Sequence, residues 1–188
     1  MDYPPRVYHF SLQTIGLVAG LCLLALHLTG LFRPVQTQAW LQRFPRSRLW
    51  GRILIVVAAL WSFWLATNLD LGEFSGFRRM IQAIVPVLAI LTALYVEEFL
   101  AARALGILAL LAAEPVLSAA FLQPQWSRLF LVVLAYAWII AGMFWVGKPY
   151  LLRDQITWIS QTPQRWRAAI IAGVVYSAII LACTFIRF

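Results

Sequence analysis

Residues 129–146 read LFLVVLAYAWIIAGMFWV, eighteen positions without a single charge. That is close to the length of one bilayer crossing as a helix, about 20 residues. The run lacks the in/out alternation that a barrel strand shows at every second step. It reads as a transmembrane helix, and it decides the fold class.

The rest of the chain agrees. Of 188 residues, 63% are apolar and 12% charged, and the mean hydropathy is +0.83. Soluble domains average about 45–50% apolar and about 25% charged, so this composition lacks the polar coat that a water-facing surface requires. Soluble globular, disordered, collagen-like and disulfide-scaffold classes are excluded. Hydropathy marks six spans, at about 10–32, 53–69, 80–96, 104–122, 129–146 and 168–186. The expected fold is a single all-α polytopic domain over residues 1–188, six helices in three hairpins, with no room for a soluble domain. The first span differs from a cleavable signal peptide: its apolar region is too long, and only Arg6 precedes it.

Lys and Arg set the expected orientation. Arg33, Arg43, Arg46, Arg48 and Arg52 follow the first span; Lys148, Arg153, Arg165 and Arg167 follow the fifth. With Arg103 they make ten, against five on the other side: Arg6, Arg78, Arg79, Arg128 and Arg187. The positive-inside rule puts both termini outside. The near-absence of lysine, one against fourteen arginines, points to a bacterial cytoplasmic membrane. The net charge of +8 fits this asymmetry and the attraction of anionic lipid. Nucleic acid is not an expected partner, since no soluble basic face exists.

Both long connections on the basic side have apolar residues at helical spacing, Val35–Phe44 and Tyr150–Ile159, and read as amphipathic helices in the interface, ended by Pro45 and Pro163. They also resemble each other. Arg33-Pro34 opens one and Lys148-Pro149 the other, and Pro34 to Arg52 and Pro149 to Arg167 are both 18 residues. Duplication of a hairpin is one reading, and shared composition of positive-inside loops is the other. Trp40, Trp50, Trp126, Trp145, Trp158 and Trp166 fall near the interfaces, as an aromatic belt.

Little chemistry is legible. His9 and His27 share a helix face about 27 Å apart, so one helix cannot give both axial ligands of a haem. Each remains only a single-ligand candidate, for a pigment or a haem shared with a partner chain. No cofactor is expected. No histidine follows residue 27 to serve as a base for serine proteolysis or lipid-phosphate hydrolysis. The run Glu97 to Arg103 departs from the first motif of the CAAX-type intramembrane proteases, with four residues between its glutamates and its arginine rather than three. Metal spacings, phosphate loops and dinucleotide fingerprints are absent from the sequence. Cys22 and Cys183 sit in apolar stretches. Gly16 and Gly20 form a GxxxG and are candidates for close helix packing, as is Gly30.

One residue breaks the pattern. Glu114 lies about ten residues into the fourth span, about 15 Å deep, and Pro115 after it removes a backbone donor. A carboxylate there must face protein or water, or be protonated. The expected state is the protonated acid, hydrogen-bonded to another span, with Ser62, Tyr136 and Ser177 at similar depth. The leading functional reading is a non-enzymatic membrane-embedded subunit or accessory protein that packs with protein partners or with its own copies. The alternative is a compact transporter or channel for a small solute, ion or proton that uses Glu114.

Overall fold

The computed structural model describes residues 7–8, 10–68, 72–95 and 98–187. Its helices are α1 Leu12–Phe32, α2 Pro34–Arg43, α3 Arg48–Asn68, α4 Arg78–Tyr95, α5 Leu100–Ala120, α6 Arg128–Gly147, α7 Tyr150–Ser160 and α8 Pro163–Arg187. Among the described residues there is no strand, and six helices are long and apolar enough to cross a membrane. The chain is an all-α polytopic membrane protein.

The breaks follow from local chemistry. Ser11 caps α1 by accepting from the Thr14 amide at 3.1 Å. At the far end Arg33 leaves helical geometry (φ −131°, ψ 59°), because the residue before a proline is pushed out of the α region. Pro34 then opens α2, where its missing N–H costs nothing. Lys148 before Pro149 makes nearly the same break (φ −131°, ψ 71°) between α6 and α7. The two connections that look alike in sequence therefore bend alike, and α2 packs against α7.

Hydropathy places the starts of the second, fourth and sixth spans too late, at 53, 104 and 168 rather than 48, 100 and 163. Arg48, Arg52, Arg103, Arg165 and Arg167 depress the average, yet arginine is a good helix former whose stem lies along apolar surface. Ser47 and Thr162 cap the true starts, accepting from the amides of Trp50 and Arg165, each at 3.3 Å. The expected span ends Leu69 and Val96, and His9, lie outside the described residues.

The expected arrangement in three hairpins of consecutive spans is corrected. α1 packs on α8, α5 on both α3 and α6, and α4 on α3; consecutive spans α1 and α3, α4 and α5, and α6 and α8 make only marginal contact among the described residues. For α1 and α3, and for α6 and α8, the reason is length. α2 and α7, of 10 and 11 residues, are each about 15 Å long, whereas packed helices sit about 8–10 Å apart. A spacer that long carries the chain past the nearest neighbour. A gap of ≈180 Å³ lies between α3 and α4, bordered by Ala58, Ser62, Ala89 and Thr92, with Ile107 of α5 at its edge.

α5 is the centre, with 44% of its spanning window buried against 22% or less for every other span. Its small residues allow this: Ala101, Ala102, Ala104, Gly106, Ala113 and Ala119 are all buried. Two cores result. Near the arginine-rich end, Ala101 and Ala102 meet Phe44 and Leu152 of the interfacial segments. Toward the opposite end, Ala113 and Val116 meet Ala19, Leu131, Ala135 and Ile180 from α1, α6 and α8.

Candidate functional site

Because α5 starts at Leu100, Glu114 sits six residues from its end, not ten residues into the span. At 1.5 Å per residue that is about 9 Å from the nearer helix end and about 21 Å from the arginine-rich one. The acid thus belongs to the outer third of the span, away from the basic face.

Its partner is also corrected. Ser118, one turn on in the same helix, donates to Glu114 Oε1 at 2.9 Å; no other span supplies the hydrogen bond. Residues four apart on a helix face each other within reach of short side chains, so the local bond forms without any tertiary help. Glu114 Oε2 is buried and has no hydrogen-bond partner among the described residues.

The residues expected beside it lie elsewhere. Ser62 borders the α3/α4 gap. Ser177 is fully buried, but its hydroxyl donates to Val174 O in its own helix at 2.8 Å. Tyr136 is 55% exposed and turns away from the bundle. Depth along a span says nothing about the direction of a side chain around it, and none of the three hydrogen-bonds to Glu114 among the described residues.

Two residues that sequence reasoning did not pair with Glu114 stand near it. Tyr8, before α1, is buried and its hydroxyl accepts from the Trp61 indole N–H of α3 at 2.6 Å. Its ring lies 5.4 Å from that of Trp64 and 6.0 Å from that of Phe10. Burial pushes the Tyr8 phenol above its usual value; the Trp61 N–H acts against this, and the Glu114 carboxyl acts with it. Ser118 was readable from its spacing. Tyr8 was not, because 53 residues separate it from Trp61. Chemically, the group offers one carboxyl oxygen without a donor beside a phenol already engaged as acceptor. It can take up a proton or receive a hydrogen-bond donor or cation, and it holds no nucleophile with a base.

The glycines and His27 serve the α1/α8 contact. A β-carbon at Gly20 would come 2.8 Å from Leu181 Cδ2, and Gly16 is buried. The His27 ring lies directly on Gly173 of α8, where a β-carbon would overlap it, and its Nδ1 is 2.7 Å from Leu23 O. A close backbone approach joins two glycines that the sequence reading passed over, Gly106 of α5 and Gly142 of α6. Ala102 and Gly106, four apart, carried the signal. At the arginine-rich end, Arg46 and Arg153 both stand over the Phe99 ring, each with 5.7 Å to its centre. Arg103 Nε is buried there without a hydrogen-bond partner among the described residues.

Comparison with family models, curated proteins and solved structures finds no match to this chain.

Proposed function

We propose that this protein is a non-enzymatic membrane-embedded subunit or accessory protein that works by packing against other membrane proteins or further copies of itself. One observation carries the reading. Tyr136 lies eight residues from the start of α6 and eleven from its end, about 12 Å and about 16 Å from the two helix ends. Its side chain is 55% exposed and makes no hydrogen bond among the described residues. A hydroxyl left unpaired in hydrocarbon costs about 1–3 kcal/mol or more, and a tyrosine ring is too short to lift it to the interface. A neighbouring protein that covers this face and bonds to the hydroxyl removes that cost. The exposed residues around it, Leu129, Val133, Ile140 and Met143, follow alternating steps of four and three, the spacing of a helix-packing seam.

A photo-crosslinking residue at 136 tests this in membranes. The expected product is a covalent adduct with one defined protein, in stoichiometric amount after gentle extraction, and Tyr136→Leu should weaken that association. Adducts with lipid alone would sink the reading.

The second reading, a compact transporter or channel, is supported by the free Oε2 of Glu114. In both, the arginine-rich end faces the cytoplasm of a bacterial cell and the termini face the periplasm. A single cysteine at 38 should react with an impermeant thiol reagent only in opened cells, and one at 124 in intact cells. Labelling at 38 from outside would reverse the orientation.

A further inference from the structure

We infer that the crevice where α1, α2 and α8 meet binds an anionic, phosphate-bearing lipid, with the headgroup on Arg167 and Gln38 and an acyl chain along Leu31 and Ile171. Two hollows of ≈530 and ≈430 Å³ lie on either side of a shared wall, Trp166 and Ile170. The wall is built in: the Trp166 indole N–H donates to Gly30 O at 3.2 Å, and a β-carbon at Gly30 would overlap Ile170.

The larger hollow carries Arg167, Gln38 and Ser160 at its polar end and Leu31, Val35 and Ile171 along its apolar side. Arg167 and Gln38 make no side-chain hydrogen bond or ion pair among the described residues. The smaller hollow adds Arg33 and Gln36.

Charge selects the class of ligand. No Asp or Glu occurs in α1, α2 or α8, and the nearest acid along the chain, Asp154, is held by Arg153 at 2.7 Å. Hydrogen-bond donors therefore face the crevice without a carboxylate to receive them. A phosphodiester supplies several acceptor oxygens and one negative charge, which a guanidinium and a side-chain amide satisfy together. The apolar side excludes a fully hydrated anion and suits a chain leaving the headgroup toward the bilayer centre. The crevice also lies where the chain turns from the interfacial α7 into the spanning α8, at headgroup level.

The full chain, purified in mild detergent and stripped of lipid, would be titrated with dioleoylphosphatidylglycerol, dioleoylphosphatidylcholine and inorganic phosphate, and read by native mass spectrometry. The expected result is one phosphatidylglycerol per chain, bound about tenfold more tightly than phosphatidylcholine, and not displaced by millimolar phosphate. Arg167→Gln should weaken it about tenfold and Gln38→Ala by a smaller factor. Arg165→Gln is the control: Arg165 is exposed, engaged with Gln161 and Trp158 outside the crevice, and its loss should leave binding unchanged. Arg167 is exposed as well, so its variant keeps the fold, and an unchanged melting temperature would confirm this. Equal affinity for the two lipids, or equal weakening by Arg165→Gln and Arg167→Gln, overturns the assignment. Displacement by inorganic phosphate overturns it in favour of a soluble anion.

Discussion

Gly106→Ala is expected to unfold in detergent well below the parent protein. A β-carbon at Gly106 would come 2.9 Å from Gly142 O and 3.1 Å from the Val146 backbone nitrogen. Gly142 faces it reciprocally, with Gly106 O at 2.7 Å from its own added β-carbon. These obstacles are backbone atoms in a second helix, so relief requires α5 and α6 to separate along their most extensive contact. Overpacking costs about 1–3 kcal/mol, and the upper end applies where no side chain can rotate away. With about 2–4 °C per kcal/mol for a chain of this size, the drop is about 6–12 °C.

Gly20→Ala meets the Leu181 side chain, which can shift, and should cost about 1 kcal/mol. Gly147→Ala meets nothing within 4 Å and should gain about 0.5–1 kcal/mol from helix propensity. The three melting curves decide it. Gly106→Ala within experimental error of Gly20→Ala would mean that the α5/α6 contact is looser than described.

The second large effect is a pair of opposite signs around Glu114. Tyr8→Phe removes the acceptor of the Trp61 indole N–H in a buried site. An orphaned donor costs about 1–3 kcal/mol, so the melting temperature should fall. Trp61→Phe in the same background should recover part of the loss, since both polar partners are then gone. Glu114→Leu should behave the other way. It deletes an oxygen that is buried without a partner, and Ser118 can turn its hydroxyl to a carbonyl of its own helix. Stability should be unchanged or slightly raised. A partner on another span, as the sequence reading expects, would instead make Glu114→Leu destabilising by leaving that partner unsatisfied.

The same variants separate the two functional readings. A subunit that acts by packing should keep its partners in both Glu114→Gln and Glu114→Leu. A proton- or cation-coupled transporter should lose flux in proteoliposomes in both, because Gln cannot titrate. Intact partner binding with abolished flux in Glu114→Gln would remove the subunit reading as the leading one.

What the sequence alone determined is where the chain is helical, where it crosses and where it turns. Arg33-Pro34 and Lys148-Pro149 break their helices wherever they occur, and a run such as 129–146 must satisfy its backbone internally in hydrocarbon. Those are local free energies that need no neighbour, and both interfacial helices and all six spans were legible from them. The pairing of spans was not legible. Lipid is as apolar as leucine, so hydropathy carries no information about which helices associate. That choice rests on fit: Gly106 against Gly142, Gly20 against Leu181, His27 on Gly173. It also rests on the reach of α2 and α7, which part consecutive spans. The surroundings of Glu114 divide the same way. Ser118 follows from four-residue spacing, whereas Tyr8 and Trp61 meet only because the segment before α1 folds against α3. Only the tertiary structure decided that, because no local energy in the chain distinguishes one helix face from another.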